Sequence, residues 1–81
     1  MKIVWDDQKR LQNLAKHGLD FASLTPEFFE TAIVLPAKGT RFMAISVLAG
    51  DVLAVVFARL GSEAISIVSM RRASRKERSL A

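Results

Sequence analysis

The chain has 81 residues, 51% of them hydrophobic, with 12 Lys and Arg against 8 Asp and Glu, one histidine and no cysteine. That length fits one domain, residues 1–81, near the lower limit of independent folding, where roughly 60–65% of the unfolded chain's surface is buried. Disulfides and thiolate zinc sites are excluded, a single histidine argues against a protein-bound transition metal, and no nucleotide-loop or metalloprotease motif is present, so neither metal nor cofactor is expected.

Lys2-Ile3-Val4-Trp5 is β-branched and aromatic and predicts a strand, with Asp6 placed to cap a following helix. Two carboxylates after three apolar residues make no signal-peptide core. The apolar-rich stretch from Phe42 to Phe57 is interrupted by Gly50-Asp51 and is too short to span a bilayer. A soluble, cytoplasmic protein with no membrane partner is the expectation. The helix is predicted over residues 7–17: Lys16 and His17 complement its carbonyl end, and Gly18 can take the left-handed position that stops it. Leu11, Leu14, Ala15 and Gly18 fall on one stripe, the expected core side, with Lys9, Asn13, Lys16 and His17 elsewhere on the helix.

Asp20–Leu24 and Thr25–Glu30 predict two short helical turns whose phenylalanines belong in the core. Thr31–Leu35 predicts a strand ended by Pro36 and Gly39. Arg41–Ala49, Val52–Arg59 and Glu63–Met70 then predict an antiparallel meander with a glycine in each turn. Two of these strands are apolar on both faces, so each face needs a cover: helices on one, the C-terminal segment or a partner on the other.

Arg71, Arg72, Arg75, Lys76 and Arg78 against Glu77 give the last eleven residues the whole formal charge of +4. A charge excess so confined is a device for binding a polyanion, with a solubilising tail as the plain alternative. Ser74-Arg75-Lys76-Glu77 matches a capping box, which divides the tail into a turn with Arg71 and Arg72 and a helix start with Arg75, Lys76 and Arg78. Free amides and converging guanidinium groups there suit a phosphate. Lys9 and Lys16 can extend that track, and His17 is either a helix-end cation or an acid–base group. Asn13 suits a tertiary hydrogen bond, and Trp5 suits the core better than base stacking. The composition permits one metal-free chemistry, cleavage of RNA by its own 2′-hydroxyl, in which cations stabilise the phosphorane.

The pattern Trp5-Asp6, Lys9, Asn13, Lys16-His17-Gly18 and Phe21, closed by Ser69-Met70-Arg71 and Ala73-Ser74 with Glu77-Arg78, resembles the BrnT toxins of bacterial type II toxin–antitoxin systems over nearly the whole chain. The resemblance implies an α+β fold like that of RelE-type toxins, with a small antiparallel β-sheet packed against N-terminal helices and a short C-terminal helix. It implies a metal-independent ribonuclease that lowers translation. A BrnA-type ribbon-helix-helix antitoxin would neutralise it, and operator DNA would be met only through that complex. By residue it implies His17, Arg71, Glu77 and Arg78 as catalytic candidates, and Lys9, Lys16, Arg72, Arg75 and Lys76 as RNA contacts. This chain departs from many members in having Ser79-Leu80-Ala81 where they have a tyrosine, and Arg59-Leu60 where they have a Glu-Arg pair. The contrasting expectation is a non-catalytic basic module that binds nucleic acid or an acidic protein.

Overall fold

The computed structural model describes residues 1–81. In chain order it has β1 (Lys2–Trp5), α1 (Asp7–His17), a 3-10 turn (Phe21–Ser23), α2 (Pro26–Glu30), β2 (Ile33–Pro36), β3 (Arg41–Leu48), β4 (Asp51–Leu60), β5 (Ala64–Arg72) and α3 (Arg75–Arg78). Asp6 caps α1 by accepting from the Gln8 amide at 3.0 Å. Gly18, at φ 70°, ends α1 by donating to the Leu14 carbonyl at 2.9 Å. Thr25 holds the N-cap position of α2 but makes no side-chain capping bond.

The strands form one sheet in the order β1-β5-β4-β3-β2. β2 to β5 are the expected antiparallel meander, while β1 joins the far edge parallel to β5, so the complete sheet is mixed. The β3–β4 turn places Ala49 at φ 50° and Gly50 at φ 85°, the paired positive values of a hairpin turn that follows strand twist.

One face of the sheet carries the core. Phe21, Leu24 and Phe28, from the 3-10 turn, the residue after it and α2, are buried against Ala44, Leu53, Val55, Phe57, Ile65, Ile67 and Met70. Burial of each of these side chains other than Ala44 is worth about 1.5–3 kcal/mol. Trp5 meets Phe21 edge to face at 6.4 Å, a core role rather than a stacking platform. Phe42 stacks on Phe57 at 5.8 Å, and Arg59 covers the open side of the Phe42 ring at 5.0 Å.

α1 departs from expectation. Its apolar stripe faces solvent, with Leu11 at 59% and Leu14 at 38% exposure, whereas Asn13 is buried at 7%. The reason lies in β5. Its edge is paired by β1 only as far as Ile67, and α1 crosses beyond that point, where an unpaired strand presents backbone polar groups. An amide can satisfy them and a leucine cannot. The core is filled instead by the segment that follows α1.

β5 also carries an irregularity that sets the site. Val56 opposes Ser69 and Phe57 opposes Ile67, which leaves Val68 as an extra residue. Strand side chains alternate, so this insertion turns Met70 into the core and sends Arg71 to the opposite, outer face.

Candidate active site

Asn13 forms the joint between α1 and β5. Its Oδ1 accepts from the Met70 amide at 3.0 Å, and its Nδ2 donates to the Leu19 carbonyl at 3.2 Å. The side chain thus does the work of a missing strand partner and ties down the chain just past α1. A second brace holds the same loop: the Arg10 guanidinium donates two bonds to Asp20, at 2.7 and 3.0 Å, while Asp20 also accepts from the Ala22 amide at 2.9 Å.

Beside the joint lies an open cleft of about 270 Å³ lined by Lys9, Gln12, Asn13, Lys16, His17, Val68 and Ser69. The helix residues in it sit at spacings of three and four, so one side of α1 supplies two ammonium groups and the only imidazole. β5 supplies the other wall. Among the expected site residues, Lys9, Lys16 and His17 are therefore brought together. Gln12, Val68 and Ser69 join them unannounced; Gln12 lies one turn from both Lys9 and Lys16, which was the only available signal.

The second cluster is at the end of β5. Arg71 donates from both terminal nitrogens to the Glu77 carboxylate, at 2.7 and 2.9 Å. Glu77 Oε1 also accepts from the Ser74 amide at 2.8 Å, and the Glu77 amide donates to Ser74 Oγ at 3.2 Å, which completes the capping box. The Arg71 guanidinium chiefly, with the Ser74 amide, holds the Glu77 carboxyl at about 2. Arg71 is raised by the same contact. Glu77 is thus an ionised carboxylate bonded to both Arg71 and the Ser74 amide. The amides of Ser74 and Glu77 are taken by the box, which leaves those of Arg75 and Lys76 at the start of the four-residue α3.

Arg72, Arg75, Lys76 and Arg78 are exposed, and none takes part in either of the two salt bridges, Arg10–Asp20 and Arg71–Glu77. Ser69 and Arg71 leave β5 on the same side. They are two residues apart, about 6–7 Å along a strand, so the α1 cleft and the arginine cluster are neighbours along β5. No group of three His, Cys, Asp or Glu side chains is arranged to hold a metal ion.

The carboxylates give the fold an acid limit. Glu77 lies near 2 against an ordinary 4.5, and Asp20, held down first by the hydrogen bond from Arg10, lies near 2 against 3.8. The unfolded chain therefore takes up protons that the folded chain refuses. The stability these groups contribute is complete above about pH 4.5 and is lost as pH falls through about 2. Urea midpoints should fall steadily from pH 5 to pH 2.5. In Glu77→Gln, which keeps a capping side chain, the slope should be shallower and the stability at pH 7 lower by roughly 0.5–1 kcal/mol after screening at the half-exposed Arg71.

A family model described as the ribonuclease toxin BrnT of type II toxin–antitoxin systems matches residues 5–77. The chain is also similar to the Brucella abortus ribonuclease toxin BrnT, whose crystal structure extends to 1.1 Å resolution, with 55% sequence identity and a TM-score of 0.87 over 93% of this chain and 99% of that one. No curated protein matches. The matched family model spans both the α1–β5 joint and the Arg71–Glu77 pair, and the chain belongs to the BrnT family of ribonuclease toxins of type II toxin–antitoxin systems.

Proposed function

We propose that this protein is a metal-independent RNA endonuclease whose active site runs along the α1–β5 seam, with Arg71 at its end. The observation that carries this reading is the convergence of Lys9, Lys16 and His17 on a cleft whose strand wall leads directly to Arg71. Lys9 and Lys16 track the phosphates of a single strand. The 2′-hydroxyl of the substrate attacks the adjacent phosphorus, its proton leaves to a base, and the bond to the 5′-oxygen breaks. The products are a 2′,3′-cyclic phosphate and a 5′-hydroxyl. Arg71 stabilises the phosphorane charge, with Arg78 and Arg75 neighbouring it on α3 and Arg72 and Lys76 extending the contact to flanking phosphates. His17 exchanges the protons, because imidazole takes and gives them most readily near neutral pH and Glu77 is committed to Arg71.

Metal independence is supported by the donor set, which has one histidine, no cysteine and two of its eight carboxylates already bound to arginines. The protein acts in the cytoplasm, and a BrnA-type ribbon-helix-helix antitoxin restrains it and carries operator binding for the pair. Incubation of the purified protein with total RNA in EDTA tests the reading. Cleavage is expected, whereas RNA retention without cleavage at any protein concentration would reduce the chain to a binding module. The phosphate track has its own measure. Lys9→Ala combined with Lys16→Ala should make the slope of log affinity against log salt shallower by about 1.4, two single-strand contacts at about 0.7 each. An unchanged slope would place the track elsewhere.

A further inference from the structure

Where β2, β3 and β4 form it, the outer face of the sheet lacks the polar residues that a solvated face carries, unlike the β5 part that holds Ser69 and Arg71. Ile33, Ile45, Val47, Val52, Ala54 and Val56 all leave their strands on this side. α3 and the residues after it cover only part of it. Ile45 and Ala54 are each 1% exposed, while Ile33 is 38% and Val47 54% exposed. At the boundary lies an open cleft of about 420 Å³ lined by Thr31, Ile33, Ile45, Ser46, Val47 and Ala81. Arg78 is three residues from Ala81, so its Cα lies within roughly 11 Å of that of Ala81. Arg75, Lys76 and Arg78 are exposed on α3 with no carboxylate paired to them. An apolar cleft with an unpaired cation, Arg78, three residues along the chain from its Ala81 wall suits a partner with an apolar anchor and an acidic neighbour.

We infer that this cleft is the docking site of the protein antitoxin, and that the docked element is an acidic amphipathic segment with one apolar side chain seated between Ile33, Val47 and Ala81. The inference rests on the toxin reading, which supplies the protein partner. A second copy of the chain fits less well, because a two-fold contact here brings two sets of the same cations together. The location also accounts for neutralisation. A segment in this cleft meets Ala81, three residues beyond the short helix whose Glu77 fixes Arg71 at 2.7 Å, and a carboxylate on it reaches toward Arg78, a cation that would otherwise meet RNA.

The test pairs the full-length toxin with the antitoxin encoded beside it. Val47→Asp should weaken the complex by about tenfold or more, the loss typical of a central apolar anchor, and Val47→Lys should weaken it less because it keeps the charge match. Both toxins should keep the wild-type melting temperature and rate of RNA cleavage. Ile33→Asp gives a second route should Val47→Asp fold poorly. Wild-type antitoxin affinity in a folded Val47→Asp or Ile33→Asp toxin would overturn the docking site. So would a wild-type toxin that is dimeric alone and becomes monomeric with either change, which would assign the cleft to a second copy. Absence of RNA cleavage by the wild-type chain would sink the toxin reading separately, since antitoxin affinity is measured without RNA.

Discussion

Arg71→Ala is expected to slow RNA cleavage by about 10²–10³-fold, the usual consequence of removing one preorganised donor from a developing oxyanion. Val68 turns this residue out of the core, and two bonds to Glu77 hold its side chain. A guanidinium held in this way keeps donors to spare for a phosphate and loses little side-chain entropy on meeting one. The stability cost should be below about 1 kcal/mol, because the ion pair is partly solvated and Glu77 keeps its bonds to Ser74. Arg71→Lys sharpens the result. It keeps the charge but lacks the planar fork, and it should recover only part of the rate. Cleavage rates and melting temperatures measured together decide the role: a rate loss that tracks a collapse in melting temperature would make Arg71 structural.

Asn13→Leu should be the most damaging single change to the fold outside the phenylalanine core. It keeps the volume but strands two backbone groups, the buried Met70 amide at about 1–3 kcal/mol and the part-buried Leu19 carbonyl at about 1 kcal/mol, for a loss on the order of 2–4 kcal/mol. Asn13→Asp still accepts from Met70 and loses only the donor to Leu19, so it should recover part of that loss. Urea denaturation reads the stability. Activity separates the joint from a merely stabilising contact: in whatever fraction of Asn13→Asp remains folded, a displaced α1 should raise KM for RNA more than it lowers kcat, because Lys9 and Lys16 move relative to Ser69. An unchanged KM would limit Asn13 to holding the fold together.

Much of this architecture was written in local signals. Asp6 and Gly18 bound α1 by one residue on either side, Ser74 and Glu77 announce α3, and glycines separate the strands of the meander. These features depend on neighbouring residues and so can be read from them. The face of α1 could not be read in this way. Leu11 and Leu14 make the stripe that amphipathic reasoning sends inward, but α1 crosses a strand edge where an amide is worth more than a leucine. The clue was Asn13 itself, a poor helix former placed mid-helix. The bulge at Val68 left no mark in composition, and it alone decides whether Arg71 points into the core or out to the site. Lys9, Lys16 and His17 were recognisable as a group from helix spacing, whereas their strand wall, Val68 and Ser69, depends on long-range pairing. The Arg71–Glu77 pair spans a turn between strand and helix, where no periodicity applies.

The central claim is that the substrate supplies its own nucleophile and the α1–β5 seam supplies only position, charge and proton transfer. Its most direct test uses an RNA oligonucleotide containing the mapped cleavage site and a second copy carrying a single 2′-deoxy sugar at that position, both incubated with the protein in EDTA. The account predicts a 2′,3′-cyclic phosphate and a 5′-hydroxyl from the first and no cleavage at that bond in the second. Cleavage of the deoxy bond, or a requirement for added divalent metal with the all-ribose strand, would contradict it.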